Sequence, residues 1–305
     1  MLKTYTAREL AALANEFTFQ SRFFDFSELI LHDFNRLRIT VDEHAWRTVL
    51  VPQLRSEPFY AKAQEAPVCR WSTARPRGYA GDAHLIDYIY RSDDIAPEIF
   101  DATLDGQVIH HCLINSHSSR SVRDRKSYFA AQIARAVIRN PKAQILVLAC
   151  GHFREGDIIL ENDAFSDAKI VCLDQDALSC AEVERRFSGS NVTVLNKNVT
   201  SVLRVDGKFD LIYASGLYDY LSDKAAIRLN AHFQSILAEG GRLVVPNFLK
   251  SAPNRACMEL ILDWFLIYRD EAEIRGLIPG QTHGGTLGYF EDKYETVGYA
   301  VFDRH

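Results

Sequence analysis

No stretch of this chain approaches the roughly 18 consecutive apolar residues that a membrane-crossing helix needs, so no such span is expected. The first residues, Met1-Leu-Lys-Thr-Tyr-Thr6, lack the apolar centre of a secretion signal, and Glu9 and Glu16 come too early for one. Basic charge is not in surplus. With a formal net charge of -5, a nucleic-acid backbone is a poor partner. The six cysteines (Cys69, Cys112, Cys150, Cys172, Cys180 and Cys257) are scattered without a C-x-x-C pair. That spacing argues against a structural zinc or a disulfide frame and points to a reduced cytoplasmic protein. His110-His111, His117, His152 and His283 show no metal-ligand spacing, so no metal is expected. Repeats and low-complexity runs are also missing.

What remains is an ordinary globular composition, 47% hydrophobic and 25% charged over 305 residues, enough for one large domain or two modest ones. The pattern changes character near Asn140-Pro141. Before it, helical periodicity dominates: Phe23, Phe26, Ile30, Phe34 and Leu37 share one helical face. Val122, Phe129, Ile133 and Val137 share another, on a helix that Ser118 or Ser119 is placed to cap. After it, short apolar runs alternate with helical stretches. Strands are predicted at Gln144–Ala149, Lys169–Leu173, Thr193–Leu195, Phe209–Ala214 and Arg242–Val245, with a closing pair at Leu287–Glu291 and Val297–Phe302. The first five are nearly continuous apolar runs, as strands covered by helices on both faces must be. Helices are expected over 178–187, 222–238 and 254–274, with Gly240-Gly241 ending the second of these before the fifth strand. The sum is a doubly wound α/β sheet with an antiparallel tail, over 141–305, behind a helical cap or lid over 1–140.

The most informative segment is Ile145-Leu-Val-Leu-Ala-Cys-Gly-His-Phe-Arg-Glu-Gly156, followed by Ile170-Val-Cys-Leu-Asp174. A buried strand runs into Gly151, and a second strand ends on a carboxylate at about the 20-residue offset of a nucleotide-binding βαβ unit. Gly151 allows close backbone approach, and Asp174 is suited to accept hydrogen bonds from ribose hydroxyls. The G-x-G-x-x-G glycines of a pyrophosphate turn are replaced by large or charged residues, and no P-loop Lys-Ser/Thr follows. A ligand with adenosine but no phosphates tolerates that loss.

At this point the chain resembles the class I S-adenosylmethionine-dependent methyltransferases. Their first motif runs apolar–acid–x–Gly–x–Gly–x–Gly; here Val147 stands for the acid, Ala149 for the first glycine and Phe153 for the third, while Gly151 is kept. The later landmarks fall in the family's order: Asp174, Asn198-Val199, Ala214-Ser-Gly-Leu-Tyr-Asp-Tyr220 and Ala238-Glu-Gly-Gly-Arg-Leu-Val-Val245. The resemblance implies a Rossmann-like seven-stranded methyltransferase sheet whose last strand is reversed, with S-adenosylmethionine as cofactor. A narrower likeness lies in Cys69-Arg-Trp-Ser-Thr-Ala-Arg-Pro-Arg-Gly-Tyr-Ala-Gly-Asp82, Ser119-Arg-Ser-Val-Arg-Asp-Arg-Lys126, Asn247-Phe-Leu249 and Asp263-Trp-Phe-Leu-Ile-Tyr-Arg269. These look like the bacterial subgroup containing the enzyme that forms 3-hydroxy fatty-acid methyl esters. That subgroup also includes enzymes that cyclise S-adenosylmethionine to azetidine-2-carboxylate.

On that reading the cofactor contacts are Ala149, Gly151, Asp174, Gln175, Asn198, Val199 and Ser215. Arg75 or Arg77 pairs with a carboxylate, either the cofactor's methionine end or an acid substrate, and Tyr79 faces the sulfonium cation. Tyr218 and Tyr220 are candidates for positioning the acceptor, and Trp264 and Tyr268, four apart on a helix, for walling a pocket. Because a carboxylate acceptor is already anionic and needs no general base, O-methylation of a small or lipid-like carboxylic acid leads. The rivals are intramolecular cyclisation, with S-adenosylmethionine as the sole small-molecule partner, and a non-catalytic adenosine-binding or interaction module. Oligomeric state is not legible.

Overall fold

The structure, a computed structural model, describes residues 6–15, 29–159, 163–204, 207–280 and 284–305. Phe23, Phe26, His283 and the side chain of Ile30 lie outside the described residues. The chain divides into two compact units: residues 1–122 with 251–265, and residues 123–250 with 266–305. Contacts therefore apportion the chain differently from the compositional change at 140/141. The helix His117–Arg139 spans the junction, and an excursion after the fifth strand packs with the N-terminal helices.

The second unit is a seven-stranded sheet of β1 (Gln144–Leu148), β2 (Lys169–Asp174), β3 (Val192–Asn196), β4 (Phe209–Tyr213), β5 (Leu237–Phe248), β6 (Gly285–Glu291) and β7 (Val297–Arg304). Their order is β3-β2-β1-β4-β5-β7-β6. The first five strands are parallel and β7 runs antiparallel between β5 and β6. All seven expected strands are present. Ile145 to Leu148 of β1 and all of β4 are buried, which is why these runs carry no polar alternation. Asp210 is the exception in β4. Its carboxylate accepts from Arg139 Nη2 at 2.8 Å and from the Gln144 backbone N–H at 2.9 Å, tying the end of the long helix to the start of β1. The order reverses between β1 and β4, and ligands of such sheets bind at the carboxyl ends beside that switch point.

Two local expectations are corrected. The long helix is capped by Ser116, whose Oγ accepts from the Ser119 N–H, rather than by Ser118 or Ser119. Gly240 does take a left-handed φ of 68°, but inside β5, where the pairing register with β4 jumps; the helix Asp223–Ile236 has already ended. Gly241 lies so near β4 that a Cβ would sit 2.7 Å from the Phe209 carbonyl oxygen.

The largest correction is the helix expected over 254–274. It exists only as Arg255–Leu260 and Glu271–Gly276, with Asp263 left-handed (φ 51°) between them. Trp264 and Tyr268 are buried, but no helical face unites them. The cause is tertiary. Arg269 donates its N–H to the Phe248 carbonyl (3.0 Å), and its own carbonyl accepts from Lys250 (3.1 Å), so the segment follows the end of β5. The Arg269 guanidinium, itself buried, donates to the Tyr218 and Leu221 carbonyls at 2.9 and 2.6 Å, to Asp223 at 2.7 Å and to Asn247. The second helix then restarts on a capping box, with Asp270 accepting from the Glu273 N–H at 3.0 Å and Glu273 accepting in return at 2.8 Å.

Arg269 thus joins β5 to the loop after β4. Removing one member of a buried charged network leaves its partners unpaired. R269A is expected to lose about 3–5 kcal/mol of stability, read as a lower urea midpoint at unchanged slope.

Candidate active site

The carboxyl ends of β1, β2 and β3 are stitched together around Asp174. Beyond β1 the chain takes left-handed φ values at Ala149 (46°), Gly151 (53°) and Phe153 (47°), the three positions where the glycine motif would stand. The backbone shape of a glycine-rich turn is retained although only one glycine is. A left-handed non-glycine residue costs on the order of 1–2 kcal/mol, so surrounding contacts must hold it. Asp174 Oδ2 accepts from the Gly151 N–H and Oδ1 from the Asp176 N–H, both at 2.9 Å. Its backbone carbonyl accepts from Lys197 N–H at 2.8 Å, past the end of β3. Only 5% exposed, Asp174 has its pKa pushed up by burial, against the lowering pull of the backbone N–H groups of Asp176 and Gly151. An ionised carboxylate offers about four lone-pair positions, so each oxygen keeps acceptor capacity.

Phe153 explains the missing third glycine. Its buried ring meets Phe187 edge-on at 5.5 Å, and a Cβ on Gly156 would fall 2.6 Å from it. The space beneath the turn is filled by aromatic carbon, a poor lining for a phosphate group.

Gln175 and Asn198 stand exposed beside this turn. Asn198 donates its amide to Gln175 Oε1 at 3.2 Å and accepts from Thr200 N–H at 3.0 Å. Val199 is half-buried against the sheet core, and Ser215 is half-buried just beyond β4. Asp174 is the last residue of β2, and Ala149, Gly151, Gln175, Asn198, Val199 and Ser215 follow the carboxyl ends of adjacent strands.

The tyrosine pair splits. Tyr218 turns into the core, where its hydroxyl donates to Asn230 Oδ1 at 2.6 Å; this removes it from an acceptor-positioning role. Tyr220 is 42% exposed. Arg75, Arg77 and Tyr79 belong to the helical unit. Arg75 ends the helix Pro67–Ala74 with φ 48° and binds Asp263 through both its carbonyl (2.9 Å) and its carboxylate. Arg77 and Tyr79 are half-buried. Asp82 closes that loop by accepting from the Leu85 N–H and from Trp71 Nε1, at 2.8 and 2.9 Å.

Four buried ionisable side chains near the strand tips, Glu155, Tyr213, Asp219 and Arg125, were given no role by the sequence reading. Glu155 accepts from the Tyr213 hydroxyl at 2.7 Å, and Phe129 stacks on Tyr213 at 4.2 Å. Burial raises the pKa of Glu155 and drives that of Tyr213 far up. Asp219 accepts from the Phe248 N–H at 2.8 Å; burial pushes its carboxyl up to about 6, opposed by the charges of Arg125 and Arg269. Arg125 is 3% exposed on the long helix. A signal for it existed: position 125 continues the stripe of Val122, Phe129 and Ile133 at spacings of three and four, where an arginine is out of place. His110 is also buried, its pKa lowered to about 4 mainly by desolvation. Among the described residues no group of His, Cys, Asp or Glu is arranged to hold a metal ion.

No known family signature and no curated protein matches the chain. Its structure is similar to that of a protein from Bordetella parapertussis named as a possible exported protein. That likeness has a TM-score of 0.61 at 14% identity over 98% of this chain and 97% of the other. It is also similar to a candidate methyltransferase from Thermobifida fusca, with a TM-score of 0.53 at 13% identity over 73% of this chain and 94% of the other. What is shared is the fold, an α/β sheet with its helices.

Two outcomes are expected. A149G is expected to gain up to about 1 kcal/mol in urea melts, as relief of the left-handed strain exceeds glycine's added unfolded-state entropy. Asp219 has a folded pKa above its unfolded value, so the folded state holds its proton longer and stability falls as pH rises from about 4 to 6. D219N, whose amide oxygen can still accept from Phe248, is expected to outgain the parent progressively over that window. The difference should level off above pH 6 at roughly 1–3 kcal/mol, as measured by urea melts at each pH.

Proposed function

We propose that this protein is an S-adenosylmethionine-dependent methyltransferase whose acceptor is a small or lipid-like carboxylic acid. The observation that carries the reading is the Asp174 carboxylate. It is held rigidly by two backbone N–H groups at the tip of β2, with acceptor capacity to spare, beside a turn whose interior Phe153 fills. Such a site suits an adenosine that brings ribose hydroxyls and no phosphates.

Asp174 would accept the ribose hydroxyls, and Gly151, lacking a side chain, would let the ligand approach the backbone. The exposed amides of Gln175 and Asn198, with Val199 beside them, would line the adenine edge, and Ser215 would face the donor from the end of β4. Bound S-adenosylmethionine supplies an electrophilic methyl carbon on a cationic sulfur, and its transfer is an in-line displacement favoured by close placement. An acid acceptor arrives ionised, so no residue of this chain must remove a proton; Tyr220, whose side chain is exposed, would orient it. The six thiols are free and buried, in keeping with a reducing cytoplasm as the proposed setting. No helix among the described residues is long and apolar enough to cross a membrane.

Calorimetry should detect binding of S-adenosylmethionine and S-adenosylhomocysteine and none of ATP or NAD, and D174A should weaken the former at least tenfold. Incubation with S-adenosylmethionine and octanoate should release adenosylhomocysteine and a methyl ester, identified by mass spectrometry. Methylthioadenosine from the cofactor alone would replace methyl transfer by cyclisation to azetidine-2-carboxylate. Absence of nucleoside binding would remove the reading altogether.

A further inference from the structure

Arg125 lies on the helix His117–Arg139 with its guanidinium buried, and among the described residues neither its Nε nor its Nη1 finds a hydrogen-bond partner. Buried polar groups are almost always satisfied, and an unsatisfied buried cation is costlier still. The surroundings compensate only in part. The aromatic face of Phe248 lies 5.9 Å from the guanidinium carbon, at the outer limit of a cation–π contact. Asp219 and Glu155 feel the charge of Arg125, but neither pairs with it: Asp219 is engaged by the Phe248 N–H and Glu155 by the Tyr213 hydroxyl. Burial raises the pKa of both acids and the charge of Arg125 opposes that rise, but neither carboxylate accepts a hydrogen bond from its Nε or Nη1. Nη2 points at the turn after β4, where it lies 3.8 Å from the place a Cβ on Gly216 would occupy.

We propose that Arg125 is the carboxylate-receiving residue of the strand-tip site, a buried guanidinium beside Gly216 whose free donors are completed by the ligand. The inference rests on the reading of the site as an adenosyl-sulfonium pocket. A planar fork of N–H donors matches a carboxylate through two parallel hydrogen bonds. The position suits the cofactor's own amino-acid tail. Asp174 ends β2 and Gly216 follows β4, with β1 between, so two strand spacings, roughly 10 Å, separate ribose and carboxylate ends. An acid acceptor brings the same chemistry, and the test separates the two sources. Arg75, the sequence-level candidate for this role, already holds Asp263.

The experiment is titration calorimetry on the full chain with S-adenosylmethionine and with methylthioadenosine, which keeps the adenosyl group and lacks the carboxylate. The parent is compared with R125M and with R125K, which retains charge without the fork. The expected result is a loss of about 10- to 100-fold in S-adenosylmethionine affinity in R125M, a smaller loss in R125K, and unchanged methylthioadenosine affinity. Unchanged affinity for both nucleosides with a raised KM for octanoate in both variants also supports the inference and assigns the carboxylate to the acceptor. Nucleoside affinities and octanoate kinetics that all stay at parental values would overturn it. So would an equal loss for both nucleosides in R125K, which would mark Arg125 as structural. A parent that binds neither nucleoside defeats the underlying reading and this inference with it, whereas parental binding with unaltered variants defeats this inference alone.

Discussion

The Asp174 carboxylate is the constraint on which the candidate site depends. It accepts from Gly151 on one side and Asp176 on the other, so a single side chain sets the turn after β1 against the turn after β2. Those two bonds, together with the ring contact of Phe153 with Phe187, oppose the strain of left-handed Ala149 and Phe153. Desolvation makes the arrangement costly, and the raised pKa of the carboxyl reflects that cost. Backbone N–H groups offset it in part, which keeps an acceptor at the strand tips where a sugar hydroxyl would arrive.

A second concentration of buried charge stands further along the sheet, at the ends of β4 and β5. Arg269 gathers the carbonyls of Tyr218 and Leu221, the Asn247 amide and Asp223, and Asp219 accepts from Phe248 beside them. These bonds hold the loop after β4 and the end of β5 in one geometry. Arg269 is fully satisfied and structural, whereas Arg125 is buried and unsatisfied; the same residue type thus serves two ends, and hydrogen-bond accounting tells them apart.

Much of the fold was legible because its signals are local. Continuous apolar runs placed the first five strands, and the closing pair of strands gave the antiparallel tail, which the likeness to the methyltransferase sheet also implied. The failures share one cause. Periodicity over 254–274 reads as helix, yet Arg269 is drawn into backbone pairing with β5, an attraction that no window of neighbouring residues contains. Gly240 was rightly a left-handed residue, but whether it ends a helix or kinks a strand depends on the register against β4. The Asp270–Glu273 capping box was a readable local signal that the periodicity hid.

The positions of the strands along the chain, the Gly151–Asp174 spacing and the loss of the phosphate-turn glycines belong to the sequence alone, because each follows from which residues stand at fixed offsets along a short segment. Tertiary structure decided that Tyr218 faces Asn230 in the core, that Glu155 meets Tyr213, and that Arg125 is buried on an otherwise apolar helical stripe. A polar side chain's environment is made by partners tens of residues away, and burial and hydrogen bonding exist only once those partners have been brought together.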